Sequence, residues 1–235
     1  MRRALVLGGS GTVGREVVRG LVSEGIATVF THHRSAEVAR ALAEETGQRT
    51  VQLDLADTGG VRAAVRALVQ GDQTPDIFVQ CAGAIDGVPF CELDDATMDH
   101  LVAVNCRSTF AAVQELAPHL VARGGGDVVL VGGLDRAQSL PLPVGFAATQ
   151  GMLAALVMAL GRELGPSGVR VNMVALGPLD GGLSRSLTPK LHEDYLRFSA
   201  LRRLGTPAEA ARAIVWLATR NGYMNGKVLP LNGGI

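Results

Sequence analysis

Apolar runs of strand length alternate with longer stretches of helical period along nearly the whole chain, and this alternation restricts the possible folds more than any single motif. Residues 4–7, 27–30, 50–53, 77–80, 127–131, 169–175 and 228–231 read as seven strands. Helices fill the intervals. The first covers about 13–23 with Val17, Val18, Leu21 and Val22 turned inward, and others follow Ser35, Asp57, Asp94 and Gly145. Another opens at Thr206-Pro207-Ala208-Glu209, where Thr caps, Pro takes the first helical position and Glu closes a capping box. Repeated βαβ units build a parallel sheet, so the expected fold is one doubly wound α/β domain over residues 1–235, seven-stranded and covered by helices on both faces. Only 181–204 lacks a sheet partner, and it reads as a lid or substrate-loop insertion.

Bulk composition removes several classes of partner. A chain of 235 residues that is 47% hydrophobic can bury one full core. Its 22 basic and 22 acidic residues balance, and neither sign gathers into a run. A nucleic-acid track and an anionic membrane surface are thereby disfavoured, leaving small-molecule or protein partners. Cys81, Cys91 and Cys106 are odd in number and form no CxxC pair, as reduced thiols in a cytoplasmic protein would. The apolar run from Ala4 to Leu7 stops at Gly8-Gly9, too short for a signal-peptide core or a membrane span, so a soluble chain that starts directly with a strand is expected.

The first strand runs into Gly8-Gly9-Ser10-Gly11-Thr12-Val13-Gly14, which contains G-x-G-x-x-G as Gly9, Gly11 and Gly14. Between a strand and a helix this pattern is a dinucleotide-binding turn of the Rossmann type: glycines let backbone amides approach a pyrophosphate, and the helix N-terminus favours its charge. A purely structural tight turn is the competing reading. The second strand ends in Thr31-His32-His33-Arg34, with no carboxylate before Glu37. NADP(H) is therefore favoured over NAD(H), with Arg34 as phosphate contact, against the alternative of a solvated charge opening the next helix. His32 and His33 read as cofactor-rim or surface residues. No spacing suggests a metal site.

In this order the motifs resemble the short-chain dehydrogenase/reductase family, and within it the 3-oxoacyl-acyl-carrier-protein reductases and polyketide ketoreductases. The resemblance covers essentially the whole chain. The family's TGxxxGxG aligns with Leu7 to Gly14, matching at Gly8 and Gly14 and departing at Leu7 and Thr12. Gln80-Cys81-Ala82-Gly83 stands where the family has NNAG, and Val171-Asn172-Met173-Val174-Ala175-Leu176-Gly177 resembles VNxVxPG. Arg203-Leu204-Gly205, Gly226-Lys227 and Asn232-Gly233-Gly234 resemble its C-terminal signatures. The resemblance implies a cofactor set of Gly8, Gly9, Ser10, Gly11, Thr12, Val13, Gly14, His33, Arg34, Asp54, Leu55, Cys81, Ala82, Gly83, Gln150 and Gly177, with Asp54 facing the adenine.

It also implies a catalytic tetrad, of which Asn105 alone is present. The serine position is Gly133, the tyrosine position Phe146 and the lysine position Gln150. Hydride attack on a ketone leaves an alkoxide that needs a positioned acid and hydrogen-bond donors around one oxygen. Phe146 and Gln150 lie four apart on one helix face, and neither a phenyl ring nor a carboxamide moves a proton near neutrality. Tyr195, beside His192 and Glu193 in the lid segment, is the surrogate acid to consider. Asp135, Arg136 and Ser139 could border a substrate, and Cys106 could approach the cleft, although a buried inert thiol fits its setting better.

Three functions follow. The first is a pseudoenzyme that binds NADP(H) and serves as a partner subunit in acyl or polyketide-type metabolism, as a dimer or tetramer or paired with an active paralogue. The family associates through the helices following Asp94 and Gly145, where Ala111, Ala112, Ala154 and Ala155 suit close packing. The second is an atypical NADP(H)-dependent carbonyl reductase acting on an acyl-carrier-linked or small-molecule substrate with a surrogate proton donor. The third is a non-redox dehydratase or cyclase in the same cleft.

Overall fold

β1 (Arg3–Leu7) lies at the point where the sheet reverses its winding. It pairs in parallel with β2 (Ala27–His32) on one side and β4 (Ile77–Gln80) on the other. β3 (Arg49–Gln52), β5 (Gly126–Gly133), β6 (Val169–Leu176) and β7 (Lys227–Leu231) complete the order β3-β2-β1-β4-β5-β6-β7, with every pair parallel. This is the expected seven-stranded doubly wound sheet. The coordinates are a computed structural model describing residues 1–70, 74–133 and 142–235.

Alternation along each strand sends side chains to two separate cores. Leu5 and Leu7 of β1 join Val61 and Val65 of α3 (Thr58–Val69), Leu116 of α5 (Ser108–Ala122) and Val157 of α6 (Val144–Leu164). Ala4 and Val6 instead meet Val17 and Leu21 of α1 (Thr12–Ser23), Leu42 of α2 (Ala36–Thr46) and Ile214 of α8 (Pro207–Thr219). α6 is the one helix among the described residues long and apolar enough to cross a bilayer, at a mean hydropathy of 1.7. It packs along β5, β6 and β7.

The structure refines the expected elements in three places. The stretch after Asp94 is two helices, α4 (Asp95–Val102) and α5, joined by a π-helical turn over Ala103–Arg107 that carries Asn105. Ser108 Oγ donates to the Val104 carbonyl and Thr109 Oγ1 to that of Asn105, so hydroxyls bond the backbone within the junction. α6 begins at Val144, before Gly145. Segment 181–204 holds a 3-10 turn (Gly182–Ser186) and α7 (Pro189–Phe198), and an isolated bridge between Leu179 and Gly205 closes its base. The capping box at Thr206 and Glu209 forms as expected.

The alanines expected on an association surface mostly face inward. Ala111, Ala112 and Ala154 belong to the protein's own core, because α5 and α6 bury that stripe on the sheet; only Ala155 of the four is exposed. The outer faces carry Phe110, Met152 and Met158 instead.

Candidate functional site

A cavity of about 560 Å³ opens at the carboxyl ends of β1, β4, β5 and β6, where the strand order reverses. This is where ligands enter doubly wound sheets. Gly8 has φ of 74°, and a Cβ there would come within 2.6 Å of the Ala82 Cβ, so only glycine lets the first turn lie against the end of β4. Its N–H donates to Thr31 Oγ1 at 3.0 Å. No side chain caps α1, which leaves first-turn amides for an anion at the cavity wall.

Most of the anticipated cofactor residues line this cavity: Ser10 to Val13, His33 and Arg34, Asp54 and Leu55, Cys81 to Gly83, Gln150, Gly177 and Gly8 itself. Gly9 and Gly14 do not. A Cβ on Gly9 would meet Phe30 at 2.5 Å, and one on Gly14 would collide with the Gly8 carbonyl oxygen, so both pack the turn from behind. At the β2 end, Ser10 Oγ lies 2.8 Å from Ser35 Oγ, and His33 Nε2 lies 3.8 Å from Asp54 Oδ2. Arg34 is exposed and makes no ion pair among the described residues. His32 also lines the cavity, with Nδ1 2.9 Å from Thr50 Oγ1. An uncapped helix N-terminus, a glycine cradle and a free guanidinium together suit a dinucleotide with an additional phosphate. Among the described residues no cluster of His, Cys, Asp and Glu could hold a metal.

Gly133, Phe146 and Gln150, expected at the serine, tyrosine and lysine positions, meet at the other end. Gln150 Oε1 accepts the backbone N–H of Gly133 at 3.0 Å, and its Nε2 donates to Thr149 Oγ1 at 3.2 Å. The Phe146 ring covers Gly133, so that a Cβ there would sit 2.8 Å from a ring carbon. Asn105 is buried with its amide engaged on both sides: Oδ1 accepts from Ala84 N–H at 2.7 Å, and Nδ2 donates to the Ala84 carbonyl at 2.9 Å and to Thr149 Oγ1 at 3.0 Å. These polar groups hold one another in place.

Tyr195 does not join them. It is buried on α7, its hydroxyl donates to the Asn232 carbonyl at 2.5 Å, and it does not line the cavity. Burial raises its pKa. α7 presents this ring to the C-terminal segment because the hydroxyl needs a buried acceptor, which corrects the expectation of a surrogate acid over the cleft. Cys106 is a buried thiol directed at the Thr149 carbonyl at 3.4 Å, and burial pushes it up to about 11. Burial pushes Cys81 up to about 12. Asp135, Arg136 and Ser139 lie outside the described residues.

One cavity residue carries no sequence signal. His100 is exposed on α4 and lines the cavity one turn before Val104, which lines it too. In sequence it resembles any polar residue on a helix surface. Only the packing of α4 beside α6 turns that face towards the cleft.

The family described as Enoyl-(Acyl carrier protein) reductase matches residues 9–235. A solved short-chain dehydrogenase/reductase from Serratia marcescens BCRC 10948 superposes with a TM-score of 0.90 at 31% identity, covering 99% of this chain and 97% of that one. The chain is a short-chain dehydrogenase/reductase. Among curated members of that family it is 25% identical, over 100% of its length and 98% of the relative's, to the 3-oxoacyl-[acyl-carrier-protein] reductase FabG of Staphylococcus aureus (strain Mu50 / ATCC 700699). Another solved structure, a blue fluorescent protein from a metagenomic library in complex with NADPH, gives a TM-score of 0.91 at 28% identity, covering 99% of this chain and 97% of that one.

Proposed function

We propose that this short-chain dehydrogenase/reductase holds NADP(H) and works as a nucleotide-binding partner subunit, without the proton transfer that a Ser-Tyr-Lys set performs. The observation that carries the reading is the Gly133–Gln150 hydrogen bond under the Phe146 ring. Gly8, Ser10 to Val13 and the first turn of α1 would hold the pyrophosphate, while Arg34 with Ser35 would take the extra phosphate. When bound, NADPH supplies a hydride. Phe146 offers no proton to an oxygen formed by that transfer, Gln150 is committed to the strand backbone, and Asn105 clamps Ala84. Loss of a positioned acid slows such chemistry about 10²- to 10⁴-fold.

A partner is supported by the outward apolar residues Phe110, Met152 and Met158 of α5 and α6, which suit a second copy or an active relative. Three free cysteines agree with a reducing, cytoplasmic setting. Calorimetric titration with NADPH and NADH is the decisive measurement: NADPH should bind more tightly. Absence of binding for both nucleotides, or rapid NADPH oxidation by the isolated protein across a carbonyl panel, would overturn the reading.

A further inference from the structure

The cavity is chemically divided. Its β2 end carries His33, Arg34 and Asp54, whereas the end bounded by α4, α6 and residues 181–187 is walled by Ile85, Val104, Leu142, Phe146, Leu183 and Leu187. Three polar side chains that line this second end are engaged within the protein. Asn105 holds Ala84 and Thr149, Gln150 holds Gly133 and Thr149, and Ser184 Oγ accepts the Leu179 N–H at 2.9 Å. Among the described residues that line this end His100 is the one ionisable side chain, and it is exposed at the rim.

A wall of this kind discriminates by what it fails to satisfy. A ligand with several hydroxyls or amides would leave water for groups that have no partners, whereas an apolar body gives up nothing. Phe146 offers a buried ring against which a flat ligand can stack. The imidazole N–H at the rim can donate to a single acceptor, and a carboxylate accepts most strongly. We infer that this end is a receptor pouch for a flat apolar carboxylate, with the ring body against Phe146 and the carboxylate at His100. The inference rests on the reading that this end of the cleft binds its ligand without protonating it.

1-Naphthoate and its neutral counterpart 1-naphthalenemethanol serve as probes, titrated calorimetrically into free and NADPH-saturated protein. Naphthoate should bind with one site and more tightly than the alcohol. His100→Leu, an exposed position that does not threaten the fold, should weaken naphthoate roughly tenfold or more and leave the alcohol nearly unchanged. Ile85→Trp should block both probes while the melting temperature is retained. Equal affinity for the two probes, indifference to both variants, or no binding to either form of the protein would overturn the pouch. Failure of NADPH to bind, or NADPH oxidation with 1-naphthaldehyde, would sink the proposed function. Naphthoate binding to the free protein would then still decide the pouch.

Discussion

Gly133 and Gln150 are bonded to each other, backbone N–H to side-chain carbonyl, at 3.0 Å, with the Phe146 ring lying over the glycine. Gly133, Phe146 and Gln150 thus form a single packed unit in which each member depends on the others. The absence of a side chain at Gly133 leaves the space that the ring fills, and the Gln150 amide ties the strand end to α6.

Gly133→Ser alone should therefore be destabilising. Its Cβ would arrive 2.8 Å from the Phe146 ring, and overpacking of this kind costs about 1–3 kcal/mol. Urea unfolding should show the loss, and adding Phe146→Ala should recover part of it. Strict additivity of the two changes would mean the contact does not couple them.

Tyr195→Phe should lower stability by about 0.5–1.5 kcal/mol, because the Asn232 carbonyl loses its donor. NADPH affinity should stay the same, since the ring is outside the cavity. A large change in nucleotide affinity with unchanged stability would contradict this placement.

Arg34→Ala should weaken NADPH by roughly tenfold or more and leave NADH within a factor of about two, as expected for the loss of one charge-assisted phosphate contact. The preference should also shrink as salt rises, because Arg34 is exposed. Parallel loss of both nucleotides would point to a damaged turn in place of a phosphate contact.

Glu209 gives a pH dependence with a defined sign. The Arg203 side chain, then the Thr206 backbone and hydroxyl, hold its pKa down at about 2 against an ordinary 4.5. The folded state therefore prefers the ionised form. Its contribution is present above the ordinary value and is lost as pH falls from about 4.5 towards 2. Thermal melts should show Glu209→Gln less stable than the parent at neutral pH, with the gap closing through that window. A gap that is constant with pH would assign the effect to capping geometry alone.

Much of this was legible in the chain. Period and spacing placed all seven strands within a residue or two, because buried parallel strands need near-continuous apolar runs and the turns between them are marked by glycine and cap residues. The turn from Gly8 to Gly14 was legible for the same reason, except that spacing does not separate Gly8, which faces the cavity, from Gly9 and Gly14, which pack behind it. Tyr195 was expected at the cleft and His100 was not, because which face of α7 or α4 meets the cleft depends on helix packing between distant segments. The π-helical turn also escaped notice, since its sequence is that of an ordinary helix.

Asn105 stands differently in the light of its bonds. Its amide joins the Ala84 backbone to Thr149 of α6, fastening the segment after β4 to the helix that carries Phe146 and Gln150. This rivet holds the shape of the cleft whatever chemistry the cleft performs. The geometry of the cleft thus has its own tenant residue, held entirely by bonds within the protein, and substitutions at Phe146 or Gln150 need not disturb it.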